Sequence, residues 1–332
     1  MKKILVTGAA GFIGSHLVDR LLKGGASVEG IDDLSSGSLA HLASALESRR
    51  FRFVRATVGG GAGSSSRDEL RAAVARVDAV VHLAAAVGVD RILADPEGAA
   101  RRNAAADDAI LDALEAHPGR RLLVASTSEI YGVGARLPLR ESAPAGRLPD
   151  GGRWSYARMK ARLEARTLAL AGVPATVVRF FNVAGPRQKA AGGMVLPRFL
   201  EAAFRGEPLL VHGNGLQSRS FADVRDVVGD IAALLACGRA SGLVVNVGRS
   251  QEWTVVDLAH EVVRMTGSGS EIRLVPTNRW RRGGDDPIGR RLPDLDRLRS
   301  LLGSLPMRPL RETIRDAATE LRRRPDRLPL PR

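Results

Sequence analysis

Short apolar runs alternate with helical stretches through the first half of the chain. The apolar runs lie near residues 4–7, 27–31, 51–54, 79–83, 122–126 and 175–180, and the helical stretches near 13–23, 67–76, 98–117 and 154–171. Such alternation is typical of a parallel sheet that is buried on both faces. Because parallel crossovers are right-handed, we predict a doubly wound α/β fold.

The pattern becomes less regular after about residue 184. Helical stretches lie near 194–205, 223–236, 254–266 and 309–323, and short strands near 208–211, 243–247 and 271–274. We therefore predict a first domain over 1–183, to which some later segments return, and a smaller α/β lobe over 184–324. The Pro- and Arg-rich end, 325–332, is expected to be a flexible tail.

A glycine motif follows the first strand. Gly8, Gly11 and Gly14 have the spacing G-x-x-G-x-x-G and lead into a helix. Glycines there allow a tight turn against a pyrophosphate, and the helix N-terminus attracts its charge. Asp32, followed by Asp33, ends the second strand, where a carboxylate binds ribose hydroxyls and repels a 2′-phosphate. Since no Arg follows closely, we predict a Rossmann domain that binds NAD rather than NADP.

The strand near 79–83 ends in small residues. His82 is followed by Leu83, Ala84 and Ala85, which would let a cofactor lie close to the edge of the sheet. His82 precedes the strand end and has no acid near it in the sequence. We therefore expect a structural role for His82.

A candidate catalytic pair lies in the helical stretch near 154–171. Tyr156 and Lys160 are four residues apart and share one helix face. A neighbouring ammonium and a positive nicotinamide ring favour the phenolate, so Tyr156 could act as a general base. This spacing is common by chance, but the strand near 122–126 ends in Ser126 and Thr127, at the edge where a cofactor would lie. Thr127 could share a hydrogen bond with the reacting oxygen, and Glu129 is a second candidate acid or base.

The composition narrows the choice of partner. The formal net charge is +14, a field that attracts anions. Zinc-finger spacing, a basic heptad helix and aromatic-rich RNA-binding strands are absent from the sequence, so phosphorylated small molecules are favoured over nucleic acid, and no metal site is expected. The single cysteine, Cys237, excludes an intrachain disulfide and is typical of the cytoplasm. The sequence contains no run of about 18 apolar residues, so no membrane span is predicted.

Several motifs in order resemble the NAD-dependent epimerase/dehydratase family of extended short-chain dehydrogenases/reductases. The matching segments include residues 7–17, 82–86, 126–132, 156–160, 179–188, 213–226 and 290–294. Two segments differ from the usual pattern. Residues 55–58 contain no acid for adenine, and Ala106-Asp107 replaces a usual Gly-Thr pair. The family also implies a homodimer, formed by the helices near 98–117 and 154–171, although small residues there also suit ordinary burial.

The resemblance implies a role for each matching residue. The adenosine diphosphate half of NAD would be held by Gly8, Gly11, Phe12, Ile13, Gly14, Asp32, Asp33, Ser36 and Gly37. The nicotinamide half would be flanked by Asn103 and Ser126, with its ribose on Lys160, while Thr127 and Tyr156 handle the sugar O4 proton. The substrate would be held by Asn182 on its diphosphate, by Met194, Val195, Leu196 and the 213–219 loop around its base, and by Arg219 and Arg291 on its diphosphate or a carboxylate.

The residues after Ser126 bear on the reaction. Members of the family first oxidise a nucleotide sugar at C4, and the dehydratases carry Thr-Asp-Glu where this chain has Thr127, Ser128 and Glu129. Together with Arg291 in the segment 290–294, this triplet resembles UDP-glucuronate decarboxylases. We therefore expect decarboxylation of UDP-glucuronate. A 4-epimerase acting on UDP-glucose or UDP-glucuronate is the alternative, and a dinucleotide sensor without catalysis is a third possibility.

Overall fold

The computed structural model describes residues 3–60, 65–85, 95–143, 146–148, 154–190, 193–276, 289–304 and 307–323. The predicted tail at 325–332 lies outside the described residues. The strands are β1 (Lys3–Thr7), β2 (Ser27–Asp32), β3 (Phe51–Arg55), β4 (Ala79–His82), β5 (Arg121–Thr127), β6 (Ala175–Phe180), β7 (Val183–Ala184), β8 (Leu209–His212), β9 (Ser218–Ser220), β10 (Ala222–Asp223), β11 (Leu243–Val247), β12 (Glu252–Thr254), β13 (Ile272–Val275) and β14 (Arg290–Arg291).

The α-helices of the described residues cover the faces of the sheets. They are α1 (Phe12–Lys23), α2 (Ala43–Leu46), α3 (Ser65–Ala75), α4 (Pro96–Glu115), α5 (Trp154–Leu168), α6 (Val195–Arg205), α7 (Val224–Ala236), α8 (Val255–Thr266), α9 (Asp296–Leu302) and α10 (Leu310–Arg323). Local chemistry sets their ends: Asp223 and Thr254 cap α7 and α8 at the N-terminus, and Gly206 and Gly267 end α6 and α8 in the left-handed conformation.

The main sheet is parallel throughout and has the order β3-β2-β1-β4-β5-β6-β11. Its two faces pack against different helices, because successive side chains of a strand point to opposite sides. Ile4 and Val6 of β1 join the apolar layer of α1 and α7, whereas Leu5 joins the layer of α3, α4 and α5. The predicted doubly wound Rossmann fold is confirmed, and the six strands predicted in the first half are present with ends within one residue.

The smaller lobe has an apolar core of its own. Phe199 of α6, Leu258 of α8 and Ile314 of α10 pack together around Leu209 of β8. In this lobe β8 pairs with β13, and β9 lies between β12 and β14. Short strands of two or three residues were not predicted, since they are too short to show a period.

Two late segments belong to the main sheet rather than to the smaller lobe. β11 pairs with β6 in parallel, and α7 packs on α1. The hydrophobic pattern predicted both elements near their observed positions, but periodicity does not tell which sheet a strand joins. No helix in the described part of the chain is long and apolar enough to cross a membrane.

Candidate active site

A cavity of about 1750 Å³ lies along the carboxyl ends of the main-sheet strands and continues into the smaller lobe. Ligands of open α/β sheets bind at this edge. The predicted site residues that line it are Gly8, Gly11, Phe12, Ile13, Gly14, Asp32, Asp33, Ser36, Leu83, Ala84, Ala85, Asn103, Ser126, Thr127, Ser128, Glu129, Tyr156, Lys160, Asn182, Met194, Val195, Leu196, Arg219 and Arg291. Gly37 is not in the lining. A Cβ at Gly37 would lie 2.9 Å from the backbone of Ala10, so this glycine packs against the glycine turn instead.

The turn between β1 and α1 has no room for side chains. Gly8 has φ +70°, and a Cβ at this position would lie 2.9 Å from the backbone nitrogen of Ala84. A Cβ at Gly14 would lie 2.0 Å from the carbonyl oxygen of Gly8. The N-cap of α1 is Gly11, which has no side chain to cap the first amide groups of the helix. Those groups and the helix dipole therefore face the cavity in a cradle that fits a pyrophosphate.

Asp32 holds a fixed orientation at the end of β2. Its Oδ2 accepts the Ala10 N–H at 3.0 Å, and its Oδ1 accepts the Leu34 N–H at 2.8 Å. Burial raises the pKa of Asp32, and these two hydrogen bonds oppose the rise only in part. The carboxylate is thus pre-positioned to accept hydrogen bonds from ribose hydroxyls.

Replacing Asp32 with Asn should weaken NAD binding by about 10- to 100-fold, the size of a charged hydrogen bond. An Asn amide would keep only one acceptor oxygen, so its NH₂ group would face the N–H of either Ala10 or Leu34. Calorimetric titration with NAD measures the effect. Glu29→Gln is the matched control, since Glu29 lies on the same strand and pairs with Arg52 and Arg76 instead. Equal affinities of Asp32→Asn and the wild type would contradict the assignment.

The end of β5 is fastened to α5 by buried groups. The Ser126 hydroxyl donates to Glu164 Oε1 at 2.5 Å, and Arg179 donates two hydrogen bonds to the same carboxylate at 2.9 and 2.7 Å. Thr127 Oγ1 accepts the Glu129 N–H at 3.2 Å and caps the short 3-10 helix that follows. Glu164 was not predicted from the sequence, because its position on a helix gives no sign that it faces a strand end.

Tyr156 and Lys160 both line the cavity from α5. Lys160 is only 1% exposed. Burial raises the pKa of Tyr156, and the carboxylates of Glu129 and Asp107 raise it further. Burial lowers the pKa of Lys160, while Asp107 and Glu164 oppose that change. The helical spacing predicted only the positive neighbour of Tyr156, since these carboxylates come from other elements that the spacing does not reveal.

His82 does have an acid beside it, contrary to the sequence-based expectation. Its Nε2 lies 3.1 Å from Oδ1 of Asp107 on α4, and its Nδ1 lies 2.8 Å from the Thr7 hydroxyl oxygen. All three side chains are buried. Thr7 and His82 are direct neighbours in the register of β1 and β4, whereas Asp107 comes from the helix packed above them. A separation of 25 residues hid this contact in the sequence.

Two buried arginines lie side by side on neighbouring strands of the smaller lobe. Arg219 of β9 and Arg291 of β14 are register partners, and both line the cavity. Arg291 donates to Glu129 Oε1 from Nη1 and Nη2 at 3.3 and 3.2 Å, and its buried Nε has no hydrogen-bond partner among the described residues. The preceding Arg290 also reaches the cavity lining, but its side chain is 57% exposed and pairs with Glu252. Such a pair of cations suits an anionic ligand.

The far end of the cavity is more apolar. Met194 and Leu216 line it although their side chains are 39% and 65% exposed, as does Leu196. Asn182 has a positive φ of 28° and donates from Nδ2 to the carbonyl of Ser220 at 3.1 Å. The cavity therefore combines a phosphate cradle, a proton-transfer pair, an arginine pair and an apolar end.

Comparison with known proteins shows which family shares this sequence and fold. The model of the NAD dependent epimerase/dehydratase family matches residues 4–248. This chain belongs to that family. The resemblance seen in the sequence is thereby confirmed, and the cofactor of this extended short-chain dehydrogenase/reductase is NAD.

Curated relatives align over nearly the whole chain. UDP-glucuronic acid decarboxylase 1 of Xenopus tropicalis is 33% identical over 314 residues, which cover 94% of this chain and 70% of that protein. UDP-N-acetyl-alpha-D-glucosaminuronate decarboxylase of Bacillus cytotoxicus is 33% identical over 306 residues, 90% of this chain and 91% of that protein. A solved epimerase from Methanothermobacter thermautotrophicus superposes with a TM-score of 0.87 at 26% identity, covering 98% of this chain and 94% of the other.

Proposed function

We propose that this protein is an NAD-dependent decarboxylase of a UDP-linked uronic acid, with UDP-glucuronate as its substrate. The observation that carries the proposal is the Glu129–Arg291 pair, which lies in the same cavity as Thr127, Tyr156 and Lys160. The names of the two curated relatives support decarboxylation of a UDP-linked hexuronate. The two relatives are named for different sugars, and the feature that these sugars share is the carboxylate of a UDP-linked uronic acid.

The arginine pair suits a substrate that carries two anionic groups. Arg291 is 7% exposed, and besides its bonds to Glu129 it has a buried Nε with no hydrogen-bond partner in the part of the chain that the structure describes. We assign Arg291 to the C6 carboxylate and its register partner Arg219 to the diphosphate. Two like charges directly opposite each other in a sheet are unfavourable, so a bound anion would stabilise the arrangement.

The first step is proton removal from the C4 hydroxyl. Tyr156 accepts this proton as the general base, Thr127 shares a hydrogen bond with the same oxygen, and Lys160 holds the nicotinamide ribose. NAD, when bound, supplies the acceptor for the hydrogen on C4 and adds a positive charge that favours the Tyr156 phenolate. The sugar carbon C4 is thereby oxidised to a ketone.

The carboxylate is now β to that ketone. The C5–C6 bond breaks, carbon dioxide leaves, and the electron pair moves to the C4 oxygen as an enolate. Thr127 and the protonated Tyr156 can donate hydrogen bonds to that oxygen. A proton delivered to C5 then restores the ketone and gives a UDP-4-keto-pentose, and its reduction at C4 would give UDP-xylose.

Incubation with UDP-glucuronate and NAD tests the proposal. Mass spectrometry should detect the loss of one carbon dioxide, and NMR should identify a pentose product. An unchanged mass with inverted C4 would instead indicate a 4-epimerase, the alternative that the solved epimerase supports. Binding of NAD without any change in UDP-glucuronate, UDP-glucose or UDP-N-acetylglucosaminuronate would contradict both and leave a sensor.

We also propose a homodimer that packs through α4 and α5. Ala99, Ala106 and Ala109 are already buried within the protomer, so they fit ordinary burial. Ala104 is partly exposed and remains available for close helix packing. Light scattering should give about twice the chain mass of 35.4 kDa, and a monomer would contradict the proposal.

We propose that the two parts of the chain bind different ligands. Residues 1–183, together with α7 and β11, would hold NAD, and the rest of 184–324 would hold the nucleotide sugar. The single cysteine, Cys237, supports a reducing, cytoplasmic setting.

A further inference from the structure

A buried chain of polar groups connects the glycine turn with α4, the helix that packs against α5. It consists of Thr7 at the end of β1, His82 at the end of β4 and Asp107 on α4, which are 0%, 0% and 2% exposed. A carboxylate without solvent is costly unless it is hydrogen-bonded and paired, so its presence calls for a function.

The hydrogen bonds of this chain assign the proton positions. An ionised Asp107 only accepts, so His82 donates to it from Nε2 across 3.1 Å. Nδ1 of His82 then accepts from the Thr7 hydroxyl across 2.8 Å. Thr7 Oγ1 in turn accepts the Ala84 N–H at 3.2 Å. Each group is satisfied, and the chain ends on the backbone that contacts Gly8.

Charged groups surround Asp107 and the catalytic pair from several elements. Burial raises the pKa of Asp107. The positive charges of Lys160 and Arg162 on α5 and the hydrogen bond from His82 lower it by more, so the pKa of Asp107 is below its usual value. Glu164, which is paired with Arg179, also acts on Lys160. Glu129, which is paired with Arg291, acts on Tyr156 together with Asp107. Asp107 is thus the carboxylate that acts on both members of the pair.

We propose that Asp107 is a positioning residue for the cofactor turn, which it holds through His82 and Thr7, and that its buried charge also acts on the Tyr156–Lys160 pair of the helix packed against α4. The inference rests on the proposed function only in taking Tyr156 as the base. Removing the charge of Asp107 should lower the pKa of Lys160 and that of Tyr156 together. The whole pH profile of the pair would then move to lower pH.

A titration of Tyr156 tests the charge without any substrate. The chain has only two tyrosines, so protein labelled with ¹³C at the tyrosine Cζ gives two resonances, and Tyr131→Phe assigns them. In the NAD complex, Asp107→Asn should lower the pH midpoint of Tyr156 by about one unit. Asn keeps an oxygen for the His82 bond, so the change isolates the charge. An unchanged midpoint would overturn the proposal.

Asp112→Asn is the matched control, since Asp112 lies on the same helix, is about half exposed and faces Arg166 at 3.7 Å. It should leave the Tyr156 midpoint where it is. Asp107→Thr also removes the charge and should shift the Tyr156 midpoint like Asp107→Asn, so the charge can still be tested if the Asn variant folds poorly. Circular dichroism and the melting temperature report folding for each variant.

The connection of Asp107 to the cofactor turn through His82 and Thr7 is tested separately, by the affinity for NAD. His82→Gln places its amide near the position of Nε2, so it keeps a donor toward Asp107 but leaves no acceptor at the position of Nδ1, beside the Thr7 hydroxyl. This variant should bind NAD about 10-fold more weakly while the Tyr156 midpoint stays near that of the wild type. Unchanged NAD affinity would overturn this half. Both measurements use NAD alone, so a wrong substrate assignment would leave them interpretable.

Discussion

Replacing Tyr156 with Phe should lower the rate of UDP-glucuronate turnover by about 10²- to 10⁴-fold, the usual contribution of a general base. The ring would still fill its place on α5, so NAD binding and the fold should remain. What is lost is the phenolic oxygen that accepts the C4 proton. Because burial and two carboxylates raise the pKa of Tyr156, wild-type activity should increase with pH until the phenol ionises in the complex.

Steady-state rates across pH, together with calorimetric NAD binding, measure this prediction. Tyr131→Phe is the matched control because Tyr131 is the other tyrosine of the chain. Its hydroxyl donates to Asn246 at 2.7 Å, away from the cavity lining, and its loss should leave the rate within a few-fold. If Tyr156→Phe kept more than a tenth of the wild-type rate, another group would have to be the base.

The fold was predictable because its signals are local. Each main-sheet strand is a short apolar run, and the glycine spacing with Asp32 requires only neighbouring residues. The seven-stranded order follows largely from right-handed crossovers. The placement of β11 was not predictable, since an apolar strand can pair with any open edge.

The polar connections of the site could not be read in the same way. Tyr156 and Lys160 share a helix face by spacing alone, but the carboxylates of Asp107, Glu129 and Glu164 act on them from positions that depend on packing. The contact of His82 with Asp107 joins a strand end to a helix across 25 residues. Periodicity predicts which face of an element is buried, but not which polar group of another element meets it there.

Substitution of Arg291 by Gln should reduce kcat/KM for UDP-glucuronate by about 100-fold, or about 3 kcal/mol. The variant loses the cation proposed to hold the C6 carboxylate and also removes the ion pair of Glu129 with Arg291 at 3.2 Å. Two like charges, Glu129 and the substrate carboxylate, would then face each other. Binding of UDP itself should change little, because Arg219 is assigned to the diphosphate.

The neighbouring Arg290 provides a matched control for this prediction. Arg290→Gln removes the same charge one residue away, but Arg290 is 57% exposed and pairs with Glu252. Its effect on kcat/KM should stay within a few-fold, since exposed ion pairs contribute little. The two variants therefore share net charge and strand, and they differ in whether the guanidinium is buried beside Glu129 or exposed beside Glu252. If both retained wild-type turnover of UDP-glucuronate, the carboxylate would have to be held elsewhere. If Arg291→Gln lost decarboxylation but inverted C4 of UDP-glucose, Arg291 would be the residue that separates the two reactions on this scaffold.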